Sequence, residues 1–384
     1  KPKNLEYFRG ELSRKHGINK NEKIIIFIGR KTDYKGIDTL INAARELRKE
    51  LPFKLLLVGP TFPWFENFYS ELSENEKKEI IDLGIVCHQE KINLLHLSDV
   101  LVLPSKFEAF GIVFLEAWIC GLPVIGANIG VIPSIIDKKG LIFDYGNVED
   151  LKMKMKELLI NKNLKEEFAR RGREEALSCY SQDKTGKQLM KTYSLKRNGK
   201  LKILLVSNLF PPHSLGGAEI EAYEQAQAMK LLGHMLHVFC GRINNRIGQY
   251  RVTYELNGFC ITRINLHDID MDIYGDLTGN GTVLEAFRRK VIDYAPDIVH
   301  FHNLAGLPIS LIDECDNLNL PSIMTVHDYW SICTKKTLIM DNGKICNQKS
   351  CFPSECKYSF PYAERNRMIE NCLKKVTHFI APSH

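Results

Sequence analysis

The chain has 384 residues, a mass of 44.0 kDa, and is 44% hydrophobic and 26% charged, which suits a globular protein of two or three domains and excludes a disordered or fibrous chain. No run of 18 apolar residues occurs, which excludes a membrane-spanning helix on sequence grounds. Residues 1–200 carry 34 Lys and Arg against 27 Asp and Glu, and the remainder 18 against 19, an excess too mild for a nucleic-acid binder without an aromatic-basic module.

Short apolar runs alternate with helical patterns along the whole chain. The expected strands of the first half are Lys23–Ile28, Phe53–Val58, Ile85–His88, Val100–Leu103, Pro123–Ala127 and Leu141–Phe143. Their nearly unbroken apolar character fits strands covered on both faces, hence a parallel sheet. Amphipathic segments such as Gly36–Glu50 and Asn147–Leu159 lie between them. A polar helical stretch from Leu164 to Tyr193 leads to the basic segment Ser194–Lys200, read as the linker. The second half then offers strands Lys202–Ser207, Met235–Cys240, Cys260–Ile264, Ile298–Phe301, Ser322–Val326 and Phe379–Ile380, with helices Gly217–Leu232, Thr282–Tyr294 and Tyr362–Lys375. The fold class is α/β, with two Rossmann-like, doubly wound parallel-sheet domains over residues 1–193 and 201–384.

Chemistry-bearing residues gather where strands end. After Lys23–Ile28 comes GRKTDYKG (Gly29–Gly36), in which Gly29 lets the backbone approach a ligand and Arg30 and Lys35 stand ready to neutralise a diphosphate beside a helix N-terminus. Surface charges around a turn account for the same residues equally simply. After Val100–Leu103 comes PSKFEAFGIVFLEAWICG, with Glu108 in the loop and Glu116 inside a helix apolar enough to be buried. A buried carboxylate needs donors, which ribose hydroxyls would supply; a structural salt bridge or a solvent-facing side chain accounts for Glu116 as well. In the second half, Gly216 and Gly217 open a helix whose first N–H groups are expected to face an anion or a hydroxyl. His302–Asn303 and His327–Asp328 follow two strands, on the side where open α/β sheets bind ligands. No GxxxxGK[ST] or GxGxxG stands at a strand-helix turn. Seven scattered cysteines read as reduced thiols and place the chain in the cytoplasm. Cys333, Cys346, Cys351 and Cys356 lack the tight spacing of zinc ribbons, so free thiols or a loop staple are expected there.

Taken together these stretches resemble the retaining GT-B glycosyltransferases of family 4. Lys23–Tyr193 resembles the donor-binding half, through the GR…KG opening, PS..EAFG…LEA…G.PVI with Glu108 and Glu116 in E-x7-E spacing, and the closing GREEAL…YS. Lys202–His384 resembles the acceptor-side half, through SN.FPP…GGAE, DIVHFHN, TVHDYW..C and FIAPS. The resemblance implies that Arg30 and Lys35 bind and stabilise the leaving diphosphate and that Glu116 holds the ribose. It implies that Glu108 contacts the donor sugar, with Gly29, Phe110 and Gly111 in the same donor set. It further implies that Gly216 and Gly217 approach the donor phosphate and the acceptor, and that His327 lies near the transferred sugar. No metal cofactor is implied; the DID at Asp268–Asp270 lies outside any cleft motif.

The expected partners are thus a UDP- or GDP-sugar and a glycan or lipid-linked acceptor, with no nucleic acid. Arg365, Arg367, Lys374 and Lys375 suggest peripheral contact with the inner face of the membrane, although a solvated helix face explains them too. The family's usual order is reversed here, the donor half coming first. Together with Lys1 as the first residue, this reads as a fragment of a tandem transferase rather than a circular permutation, lacking a complementary GT-B domain and truncated at the end of its acceptor-side half. A non-catalytic nucleotide-sugar-binding chain and a nucleotide-sugar 2-epimerase are the alternatives. Two departures stand out: Gly130–Ser134 replaces a GGxPE motif, and Ala109 replaces a Gly before Phe110.

Overall fold

A computed structural model describes residues 5–19, 21–108, 110–193, 199–213, 216–243, 251–266, 281–304, 306–331, 333, 346 and 362–381. Its contacts divide the chain into two compact units, Lys1–Ser181 and Gln182–His384.

In the first unit six strands, β1 (Lys23–Ile28), β2 (Phe53–Val58), β3 (Ile80–Gly84), β4 (Val100–Leu103), β5 (Val124–Ala127) and β6 (Leu141–Phe143), form one sheet in the order β3-β2-β1-β4-β5-β6. Every pairing is parallel. All six residues of β2 and all four of β4 and β5 are buried, as strands between two helical layers must be. The strand order reverses between β1 and β4, so the segments leaving them depart to opposite faces and a crevice opens at their carboxyl ends. On one face the helix Ile112–Ile119 packs closely on the helix Lys162–Cys179: a Cβ on Gly172 would lie 2.1 Å from the fully buried indole of Trp118.

The third strand falls earlier than expected. The sequence suggested Ile85–His88, but Ile80 and Ile81 enter the core, while Ile85 is 79% exposed and Cys87 caps the helix His88–Leu97. The turn of helix Glu74–Lys77 runs almost directly into β3. Tyr69 ties this junction down by donating its hydroxyl to the Ile80 carbonyl at 2.8 Å.

The second unit contains β7 (Lys202–Ser207), β8 (Met235–Ile243), β9 (Arg251–Leu256), β10 (Phe259–Leu266), β11 (Ile298–Phe301), β12 (Ser322–Thr325) and β13 (His378–Ile380), in the order β13-β12-β11-β7-β8-β10-β9. Leu204 and Val206 of β7 serve one face of this sheet and Leu205 the other, following the two-residue period of a strand. Only β9 runs antiparallel, paired to β10 through a turn at Asn257–Gly258 whose residues both have positive φ, 53° and 74°. An Asn-Gly turn between alternating residues is a hairpin signal, and the sequence reading passed over it. The chain also divides earlier than the expected linker at 194–200. The helix Gln182–Tyr193 joins the second unit, burying Leu189 and Tyr193 with Leu201, Ile203, Ile298 and Ile323.

Gly36 fixes how the two halves of the first sheet meet. Its φ is +66°, and a Cβ there would lie 2.3 Å from the carbonyl oxygen of Pro104. Gly36→Ala is expected to cost about 3 kcal/mol or more of unfolding free energy, since neither the strain nor the backbone clash can relax. Gly84→Ala, at φ +64° with nothing within 4 Å, is the matched comparison and carries only the strain, about 1 kcal/mol. Urea denaturation of the two variants measures the difference; equal losses would show that the contact with Pro104 is not tight.

Candidate functional site

The crevice of the first unit is built by backbone contacts before any charge is placed. Gly29 N–H donates to the Val58 carbonyl at 2.9 Å, and Gly59, at φ +127°, approaches Gly29 so closely that a Cβ would lie 2.1 Å from its oxygen. Lys31, fully buried, pins the same corner: its ammonium donates to the Gly59 carbonyl at 2.7 Å, Thr61 Oγ1 at 3.0 Å and Asp82 at 2.5 Å. With Lys31 turned inward, its neighbour Arg30 is left exposed, and its side chain makes no hydrogen bond or ion pair among the described residues.

The chain then makes one tight turn, Asp33–Lys35, and the loop after β4 is sutured to it. Lys106 N–H donates to the Tyr34 carbonyl at 2.8 Å. This brings Lys35 against Glu108, and the two form an ion pair with side chains only 11% and 13% accessible. Gly111, at φ +73°, starts the helix Ile112–Ile119, while the ring of Phe110 packs 5.3 Å from that of Tyr180.

Glu116 lies in the second turn of that helix. It was expected to be buried; its side chain is 25% accessible and accepts a hydrogen bond from Lys91 Nζ at 2.5 Å. The helix is apolar enough to bury three residues, but Glu116 falls on the side that faces His88–Leu97. The structural salt bridge is thus what the fold supplies to Glu116. Lys91 itself carried no motif and was not anticipated.

The second unit also has a strand-order reversal, at β7. The segment after β7 is held to that after β11 by Asn208 N–H donating to the Asn303 carbonyl at 2.6 Å. Gly216 caps the helix Gly217–Leu231, but its N–H donates to the carboxylate of Glu219 at 2.8 Å. Glu219 is 3% exposed, so the chain's own carboxylate takes the first N–H that was expected to meet an anion.

The two strand-end histidines do come together. His300 lies on β11 and His302 just beyond its end, and beside them stand Thr325, the last residue of β12, and His327 beyond it. His302 Nδ1 lies 2.9 Å from His327 Nε2, and His300 Nε2 lies 2.7 Å from Thr325 Oγ1. Tyr193 closes the other end, its hydroxyl bonded to His300 Nδ1. A cavity of about 290 Å³ opens here, lined among others by His302, Asn303, His327, Asp328, Trp330 and Phe379.

Arg365 is 1% exposed, donates to the Trp330 carbonyl at 3.1 Å and stacks over its ring, so it cannot face a lipid. Lys374 and Lys375 pair with Glu370 and Asp313 at 3.2 and 2.7 Å, leaving Arg367 exposed. Among the described residues no helix is long and apolar enough to cross a membrane, and no three His, Cys, Asp or Glu side chains are grouped to hold a metal. Cys333 and Cys346 are free thiols. Cys351, Cys356, Ala109 and the Asp268–Asp270 stretch lie outside the described residues.

Each of the two α/β units carries its polar residues beyond a strand-order reversal, where open α/β sheets bind ligands. Residues 8–175 match the family Glycosyl transferases group 1 and residues 215–384 match Glycosyltransferase Family 4. Across these two stretches the chain belongs to the GT-B glycosyltransferases of family 4. Relatives include an N-acetyl-alpha-D-glucosaminyl L-malate synthase of Bacillus anthracis, 30% identical over 48% of this chain and 48% of its own. A D-inositol 3-phosphate glycosyltransferase of Corynebacterium efficiens is 30% identical over 34% of this chain and 33% of its own. Among solved structures, the glycosyltransferase WaaG, titled as involved in lipopolysaccharide biosynthesis, is 26% identical with a TM-score of 0.40, covering 46% of this chain and 48% of its own. The chain spans about half or less of the length of the curated relatives it matches.

The buried histidines make stability depend on pH. Burial pushes His300 down to about 3 and His327 to about 4, and holds His302 well below its ordinary 6.5. All three stay neutral in the folded chain, whereas unfolded histidine takes up a proton near 6.5. Their contribution is therefore complete above about pH 6.5 and declines as the pH falls towards 4. His300→Gln is expected to flatten that decline by about 1.4 kcal/mol per pH unit in urea titrations between pH 6.5 and 4.5. Identical slopes for both proteins would mean that His300 titrates normally in the fold.

Proposed function

We propose that the chain is a retaining hexosyltransferase, moving a sugar from a UDP- or GDP-linked donor to a glycan or lipid-linked acceptor without a metal ion. The observation that carries this reading is the suture of the loops after β1 and β4, which sets Lys35 and Glu108 together at the reversal of the sheet with Arg30 open beside them. A diphosphate entering this crevice offers Lys35 a doubly charged partner in place of one carboxylate, and Arg30 adds a second cation. Glu108 is then released to accept hydrogen bonds from sugar hydroxyls, and Glu116 to accept from a ribose diol.

In the reaction the bond from the sugar's anomeric carbon to the phosphate oxygen breaks, and a bond to the acceptor oxygen forms on the same face. The acceptor's proton passes to the departing phosphate. Arg30 and Lys35 stabilise the charge that builds on that phosphate, a contribution realised mainly in the transition state. On the same reading His327, in the second unit, is the residue that would lie near a transferred sugar in that unit's own active site. The relatives support glycosyl transfer as the reaction class but carry different acceptors in their names, L-malate and D-inositol 3-phosphate, so the acceptor of this chain rests on the reading alone.

Calorimetric titration with UDP, GDP and ADP tests the proposal. One nucleotide is expected to bind, with affinity falling about ten- to a hundredfold in Lys35→Ala and in Glu116→Ala, the loss of one charge-assisted contact each. Unchanged affinity in both variants would refute the assignment of the site. Binding without turnover on any acceptor would favour the reading in which the two halves serve different active sites.

A further inference from the structure

The histidine ladder of the second unit contains a proton-placement problem with one economical answer. His302 is 0% exposed, and among the described residues only one of its ring nitrogens has a partner: Nδ1 faces His327 Nε2 at 2.9 Å, while Nε2 is buried with no hydrogen bond. The two rings lie 5.1 Å apart and 22° from parallel, so their nitrogens are held in register. A neutral imidazole has one N–H and one lone pair, and a single proton must lie between the facing nitrogens.

If His327 Nε2 held that proton, the proton of His302 would sit on its own Nε2, an N–H sealed in the interior without an acceptor. Orphaned buried N–H groups are among the rarest features of native structures; an unused acceptor is better tolerated. If His302 Nδ1 holds it, the sealed atom is only a lone pair, and the proton of His327 moves to Nδ1. From this geometry we infer that His302 is a positioning residue that fixes His327 as the Nδ1–H tautomer. His327 therefore offers the cavity a hydrogen-bond donor rather than a base.

The chemical consequence is specific. Nδ1 is the nitrogen of His327 left for a ligand, and it arrives already protonated. It matches an oxygen with a free lone pair, such as a hydroxyl, ring or carbonyl oxygen, and cannot take a proton from an attacking acceptor. The identity of that oxygen as one of a sugar or its acceptor rests on the function proposed above; the tautomer does not.

Ring 15N spectra of the full chain with labelled histidine decide the matter directly, through the two-bond couplings that separate protonated from unprotonated nitrogens. The signals of His327 are assigned by their loss in His327→Gln. In the wild type, Nδ1 of His327 is expected at the protonated position and Nε2 at the unprotonated one. His302→Leu should release His327 to the Nε2–H form. His302→Asn, whose amide nitrogen sits near the place of Nδ1, should restore Nδ1–H. A wild-type spectrum with His327 as Nε2–H overturns the inference by itself, even if neither His302 variant folds. With a donor and acceptor in hand, His302→Leu is expected to lower kcat about tenfold while leaving nucleotide affinity unchanged, and His302→Asn to recover it. Failure of the wild type to bind nucleotide would refute the proposed function and leave the tautomer assignment standing.

Discussion

The first unit depends on one close approach, that of Gly36 to the carbonyl of Pro104. A parallel sheet whose order reverses between β1 and β4 sends its connections to opposite faces, so nothing in the topology obliges the two departing loops to touch. They touch because Gly36 has no side chain, because Lys106 donates to the Tyr34 carbonyl, and because Lys35 meets Glu108. The glycine contact is the condition for the others. With the backbones held at that distance, a lysine from one half of the sheet and a glutamate from the other share a space that neither could reach alone. Lys31 and Gly59 secure the opposite side of the same loop, so Arg30 and Lys35 leave a fixed corner rather than a flexible turn.

In the second unit the comparable constraint is polar. Four hydrogen-bonding side chains gather at two adjacent parallel strands, His300 and Thr325 within them and His302 and His327 just beyond their ends, among Ile, Val, Phe and Met. Such groups are tolerated in an interior only when they satisfy one another, and any unmatched atom decides where protons sit. The hydroxyl of Tyr193 has His300 Nδ1 as its partner, so its proton goes there, and His300 Nε2–H is left to donate to Thr325.

Much of this was legible in the residues. Buried strands announce themselves as unbroken apolar runs, and eleven of the thirteen were placed at or within a few residues of their positions. β3 was misplaced because Ile80–Leu83 and Ile85–Val86 are two apolar runs separated by one glycine, and period alone does not choose between them. β9 was missed because an edge strand with one exposed face alternates and looks like a polar loop; its Asn-Gly turn was the available clue. The positions of Lys35, Glu108 and His327 beyond strand ends followed from strand boundaries. The partners of those residues did not. That Lys91 answers Glu116, that Glu219 fills the N–H of Gly216, and that Arg365 turns inward to Trp330 depend on which faces of helices meet, and no local pattern encodes that.

These internal partners bear on selectivity under the proposed function. Glu108 and Glu116 each begin with a lysine, so a ligand must replace an ion pair rather than enter an empty socket. A half-buried pair is weakly stabilising in net terms, because desolvation offsets most of its attraction. Separating it becomes favourable when the lysine receives a more highly charged partner and the carboxylate receives hydroxyl donors. A nucleoside diphosphate sugar supplies both at once, phosphate for Lys35 and hydroxyls for Glu108. A neutral sugar supplies only the second and leaves a half-buried ammonium unpaired, and free phosphate does the reverse to the carboxylate. Under that proposal the two ion pairs would favour the linked donor over either of its parts, without a contact dedicated to rejecting them.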